Sequence, residues 1–125
     1  NMIKPQKFPS RTELIRRLHA EVFKRVTLSF YRYVKIEDPN ILRLELIKSW
    51  DKLNVFGRIY LAHEGINAQM SLPEENLEAF QKELYLDSRF KEVPFKIAVE
   101  DNGKSFYKLN IKIRNMTNSS SKIKF

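Results

Sequence analysis

His63-Glu64-Gly65-Ile66-Asn67 stops one residue short of a zinc-hydrolase signature. That chemistry needs two imidazoles four residues apart on one helix face, with the glutamate between them as general base. Asn67 stands where the second imidazole is required, and the one other histidine, His19, lies far upstream in a basic segment. Cysteine is absent, which removes disulfides, thiolate zinc sites, iron–sulfur ligation and cysteine nucleophiles. With three glycines in the chain, no glycine-rich phosphate loop stands out, and neither does a serine–histidine–acid arrangement. No metal site and no catalytic residue is therefore expected here. Two readings of the motif remain open. Gly65 is a turn glycine with positive φ, or Glu64 and Asn67 sit at a rigid hairpin tip and offer a carboxylate and an amide for hydrogen bonding.

A second constellation combines Tyr31, Tyr33, Arg58, Tyr60, Asn67, Gln69 and Lys96. Aromatics interleaved with basic side chains on an open sheet face suit base stacking and phosphate contact, as in RNA-recognition modules. The segment Ile66–Leu72, however, lacks the basic-glycine-aromatic signature such modules carry there. The other reading is that the N-terminal helix or a further domain covers this face. A third pattern runs from Phe106 to Arg114, placing Lys108, Lys112 and Arg114 in one period-two register and Leu109, Ile111 and Ile113 in the other. Such a basic strand touches phosphate or guards a sheet edge against aggregation. Charge is segregated in the same sense. Residues 1–36 carry nine Lys/Arg against two acids, residues 37–103 eight against thirteen, and residues 104–125 six against none. Basic ends of this kind favour a polyanion, or form a solvated surface.

The elements that must position these residues follow from periodicity. Ser10-Arg11-Thr12-Glu13 is a capping box, and Leu14, Ile15, Leu18 and Val22 recur at helical spacing, which predicts a helix over 12–24. Val26–Val34 alternates as a strand, with Val26, Leu28 and Phe30 on one face. Asp38-Pro39 opens a helix that buries Leu42, Leu46, Trp50 and Leu53 and ends near Asn54. Gly57–His63 and Ile66–Leu72 form a hairpin about Glu64-Gly65, with Ile59 and Leu61 inward and Arg58, Tyr60 and Ala62 outward. Pro73-Glu74-Glu75 starts a helix with Leu77, Phe80 and Leu84 on its apolar stripe, running to about Tyr85. Phe95, Ile97 and Val99 alternate as a fourth core strand before Asp101-Asn102-Gly103.

The order βαββαβ predicts an α+β fold of the ferredoxin-like, acylphosphatase-like kind: an antiparallel sheet with both helices on one face. An extra N-terminal helix precedes it within 1–24, the core spans 25–103, and 104–125 supplies a basic strand or arm followed by a linker at Thr117-Asn118-Ser119-Ser120-Ser121. At 125 residues the chain suits one core. Lacking an apolar run of bilayer length and a signal-peptide segment, it is expected to be cytoplasmic.

Four blocks occur together: Ser29-Phe30-Tyr31-Arg32-Tyr33, Gly57-Arg58-Ile59-Tyr60, His63 through Ser71, and Asp101 through Leu109. In order and spacing, over about Val26 to Arg114, they resemble the N-terminal domain of the bacterial tRNA uridine hydroxylase family with a rhodanese domain, the UPF0176 group. The resemblance implies oxygen-dependent conversion of a tRNA wobble uridine to 5-hydroxyuridine, with molecular oxygen as co-substrate and no cofactor bound by this part. It also implies a following rhodanese-like domain that bears the essential cysteine. This chain has none, so it would hold tRNA or its partner domain while the reaction occurs elsewhere. The binding candidates are Tyr31, Arg32, Tyr33, Arg58, His63, Glu64, Asn67, Lys104, Lys108, Lys112 and Arg114. Residues 115–125 depart from the family's pattern in being short and polar. The alternative function is a free-standing RNA-binding module of the same fold. Acylphosphatase-like hydrolysis rests on fold alone, and Tyr33–Asp38 stands where a glycine-rich phosphate cradle would be.

Overall fold

The computed structural model describes residues 8–114; the Thr117–Ser121 run expected as a linker lies outside them. Ser10 opens α1 (Arg11–Ala20) by accepting the Glu13 amide hydrogen at 3.1 Å. Only this half of the capping box forms, because the Glu13 carboxylate turns to Arg16 and Arg17. The helix ends at Ala20, not Lys24, and Val22 is 99% exposed. Apolar spacing extends a helix only where the last residue has a surface to bury against.

β1 (Arg25–Tyr33) leads into α2 (Pro39–Lys52), whose start is fixed by Asp38 Oδ1 accepting from the amides of Asn40 and Ile41. β2 (Phe56–Ala62) and β3 (Gly65–Pro73) form the hairpin, followed by α3 (Leu77–Leu86) after a short 3-10 turn at Glu74–Asn76. β4 (Lys96–Ile97) and β5 (Leu109–Ile113) complete the sheet, whose order is β4-β1-β3-β2-β5. The first four strands are antiparallel to their neighbours in the expected ferredoxin-like arrangement. β5 joins beside β2 in parallel, so the basic segment is part of the sheet and not a free arm. No helix among the described residues is long and apolar enough to cross a membrane.

Both long helices pack on one sheet face. Phe30, Trp50, Phe80 and Phe95 form the aromatic centre, with ring centroids 5.4–6.5 Å apart. Tyr85 adds its ring to Phe95 and donates its hydroxyl to the Val93 carbonyl at 2.6 Å. Leu28, Ile59, Leu61, Ile66, Ala68 and Met70 close the sheet side of this core.

Three local expectations change. The fourth strand shrinks to Lys96–Ile97, both exposed, and Val99 is 87% exposed. Period-two alternation there marks extended backbone that leaves β1 early, since Ala98 already makes the last bond, to the Thr27 carbonyl. The hairpin turn is His63-Glu64, because Gly65 pairs with Ala62. Gly65 has φ of 151°, and a Cβ there would sit 2.0 Å from the Arg32 carbonyl oxygen, so glycine serves a close strand approach as well as a backbone angle. Ala62 faces outward by strand parity but is fully buried, a methyl being shorter than the side chains around it.

β4 and β5 lie at opposite edges of the sheet, so residues 98–108 must cross it. They cross the face away from α2 and α3, at the end where β1 begins. Gly103, at φ of 77°, passes so close that an added Cβ would lie 2.6 Å from Arg25 Cβ. Asp101 organises the turn: Oδ1 accepts from Thr27 Oγ1 at 2.8 Å and from the Gly103 amide at 2.7 Å, and Oδ2 accepts from Ser105 Oγ at 2.9 Å. The Gly103 amide first, then the two hydroxyls, hold its carboxyl below the usual aspartate range. Beneath the crossover Arg25 is buried. It makes a bidentate pair with Glu21 at 2.7 and 2.9 Å, donates to the Asn54 and Ser71 carbonyls, and lies 4.0 Å over the Phe56 ring. α1 lies along the crossover, Lys104 Nζ donating to the Leu18 carbonyl at 2.8 Å and Arg11 standing 5.8 Å from the Tyr107 ring.

Three stability outcomes follow. Gly65→Ala combines a rare backbone angle with a steric overlap and lowers unfolding free energy in urea by about 2 kcal/mol or more. Arg25→Met removes the bidentate partner of Glu21, leaving it only Lys104 at 3.7 Å, and costs about 3 kcal/mol or more, read in the same titration; a change within experimental error would show the pair to be dispensable. A carboxylate with a folded pKa below its unfolded value stabilises fully above the unfolded value, about 3.9, and loses that contribution as pH falls through the folded one. Asp101→Asn is therefore expected to narrow the gap in melting temperature between pH 6 and pH 3.

Candidate nucleic-acid interface

Strand register sets the open face into rows. One row runs Lys96, Ser29, Gln69, Arg58, Asn110 across all five strands. The next runs Tyr31, Asn67, Tyr60, Lys112, and beyond it Tyr33 stands opposite Gly65 and Ala62. The first two rows contain no acid. Tyr31 and Tyr33 are 56% and 69% exposed, with ring centroids 6.3 Å apart in an edge-to-face arrangement. Arg114, continuing from β5, places its guanidinium carbon 4.2 Å from the centroid of the Tyr60 ring. Stacked guanidinium, tyrosine faces and separate cations are the components that single-stranded nucleic acids meet on sheet surfaces.

The crossover covers only the end of this face that holds Thr27, Ser71 and Phe56. Between it and the Lys96 row lies a cavity of about 300 Å3 bordered by Thr27, Ser29, Gln69, Lys96, Asp101 and Phe106. α1, one of the covers that the sequence left open, lies on the crossover itself and not on the tyrosine rows.

Of the eleven binding candidates, Tyr31, Tyr33, Arg58, Asn67, Lys112 and Arg114 come together on this surface. Lys108 is exposed next to it, 5.9 Å from the Tyr107 ring, with its carbonyl accepting the Gly57 amide. Arg32 does not join them: strand parity turns it toward the helices, where it donates to the carbonyls of Lys91 at 2.8 Å and Arg89 at 3.4 Å. Lys104 is spent on Leu18 and Glu21. His63 uses its Nδ1 proton on the Ile36 carbonyl at 3.0 Å, and its own carbonyl accepts the Ile36 amide. The Glu64 carbonyl accepts the Val34 amide, while its side chain is exposed at the hairpin tip. His63-Glu64 is thus a strand-linking turn, and among the described residues no three His, Cys, Asp or Glu side chains gather where a metal could bind.

Tyr60, Gln69 and Lys96 complete the rows, and period-two spacing alone assigns them to this face. Phe106 and Asp101 were missed as members of it. The Asp101-Asn102-Gly103 turn signal was visible, but nothing local says that the chain after it crosses the sheet.

Comparison with known proteins places these features in a group. Residues 25–116 match the UPF0176 acylphosphatase like domain. The chain is 50% identical over 121 residues to a protein of Leptospira interrogans named tRNA uridine(34) hydroxylase, covering 86% of this chain and 33% of that protein. It is 51% identical over 106 residues to a protein of the same name in Cronobacter sakazakii, covering 84% of this chain and 30% of the relative. The chain thus spans about a third of the length of these relatives. Among solved structures, BlrB, a BLUF protein in its dark state, superposes with a TM-score of 0.54 at 13% identity over 75% of this chain and 76% of that one, a likeness of fold alone. With the family's domain matched across all five strands, the chain belongs to the UPF0176 acylphosphatase-like domain family.

Proposed function

We propose that this domain holds tRNA for an enzyme that hydroxylates the wobble uridine, and that the open sheet face is the surface on which the RNA lies. The observation that carries the reading is the acid-free pair of rows, with Arg58, Lys112 and Lys96 among Tyr31 and Tyr60, and with Arg114 stacked on Tyr60. The names of the relatives support the substrate and the reaction class. Lysine and arginine neutralise phosphates and release counterions, while tyrosine faces accept unstacked bases. Nothing among the described residues supplies a cysteine nucleophile or metal cluster. The family resemblance implies that the oxygen-dependent step, yielding 5-hydroxyuridine, falls to a further, cysteine-bearing rhodanese-like domain of the polypeptide working in the cytoplasm. A free-standing RNA-binding module would use the same face without that domain.

Titrating the chain with tRNA over a range of salt tests the reading. The logarithm of affinity falls linearly with the logarithm of salt, by a slope of about 0.9 per phosphate neutralised. Replacing Arg58, Lys112 and Arg114 together by alanine weakens binding and makes that slope shallower by about one for each cation that meets a phosphate. A salt-independent affinity, or one untouched by the triple variant, rejects this surface. Removing the full-length gene separates the two versions, since only the hydroxylase reading requires the wobble modification to disappear from tRNA.

A further inference from the structure

The cavity beneath the crossover is not explained by phosphate contact, and its lining is chemically mixed. We propose that it is a nucleotide pocket, receiving one unstacked base of a bound RNA with that nucleotide's phosphate on Lys96. The inference rests on the RNA reading above and deepens it.

Four observations converge. The cavity measures about 300 Å3, at the lower end of the range for small-molecule sites and so suited to a single base, not to a large cofactor. Phe106 offers an aromatic wall, the group on which single-stranded bases stack. Gln69 and Ser29 stand side by side in one row. Within the described residues neither side chain is engaged in a hydrogen bond. A carboxamide paired with a hydroxyl presents donors and acceptors to a base edge. Lys96 stands across from Ser29 at the β4 edge, between the pocket and the Tyr31 row, and likewise makes no hydrogen bond within the described residues.

Asp101 sets the orientation. Its oxygens are occupied by Thr27, Gly103 and Ser105, so it is a fixed negative wall at the crossover end. A phosphate is repelled from that end and drawn to Lys96, and the base lies inward against Phe106. The backbone then leaves the pocket toward Tyr31, Tyr60 and Lys112, which makes cavity and rows one continuous track. The crossover thereby does two things: it closes the sheet and supplies one side of the pocket.

Amide NMR of the 125-residue chain with uridine 5′-monophosphate tests the proposal, with inorganic phosphate as the control. Saturable shifts are expected at Thr27, Ser29, Gln69, Ala98 and Phe106, whereas phosphate alone moves only the neighbourhood of Lys96. Gln69→Leu, at an exposed position, and Phe106→Leu, which keeps apolar volume but removes the π face, each weaken the mononucleotide about tenfold, with melting temperatures showing that both variants fold. Shifts confined to the Tyr31 and Tyr60 surface, shifts reproduced in full by phosphate, or undiminished affinity in both variants would overturn the pocket. If the mononucleotide fails while tRNA still binds through Arg58, Lys112 and Arg114, the pocket falls and the RNA surface stands. If the mononucleotide fills the pocket and tRNA does not bind, the pocket stands and the tRNA reading falls.

Discussion

The sheet order is the constraint on which the rest of this structure depends. β4 pairs with one edge and β5 with the other, so residues 98–108 have to pass over the face that the helices leave bare. A passage so close to β1 works only with a glycine against Arg25, and it must satisfy polar groups that it removes from water. Asp101 answers the second need for Thr27, Gly103 and Ser105, while the buried Ser71 hydroxyl stays without a hydrogen bond among the described residues, and the buried Arg25–Glu21 pair anchors the underside. Such a pair has a large penalty if one member is removed. It therefore ties the N-terminal helix, the crossover and the hairpin strands into one unit.

What the crossover does not cover follows from the same geometry. Because it hugs the end where β1 begins, the rows toward the hairpin tip remain open, and they collect tyrosines, amides and cations without an acid. The helical face is the opposite case: a dense aromatic centre of Phe30, Trp50, Phe80 and Phe95 whose role is packing. One sheet thus has a face packed against the helices and a face left largely open, and outward residues on the second cost little in core packing.

The helices and the hairpin were legible because their signals are local. Asp38-Pro39, the stripes Leu42-Leu46-Trp50 and Phe80-Leu84, and the alternation through Val26–Tyr33 each depend on near neighbours. Parallel pairing of β5 with β2 was not legible, since no turn chemistry joins strands distant in sequence. Neither was the early departure of β4, because Phe95–Glu100 alternates whether or not a partner is beside it. For the site, strand parity is the useful signal. It puts Tyr31, Tyr33, Arg58 and Lys112 on one side, and the same count turns Arg32 to the other, among the carbonyls of Lys91 and Arg89. Lys104 is different, since only tertiary structure shows that its charge is spent on Leu18 and Glu21.

The central claim is that RNA lies on the open sheet face and not on the helical one. Ultraviolet cross-linking of the chain to tRNA, followed by mapping of the cross-linked peptides, tests this most directly. The account predicts adducts in the peptides carrying Tyr31, Tyr33 and Tyr60, with none on α2 or α3. Adducts concentrated on the helices, with the three tyrosines unmodified, would contradict it.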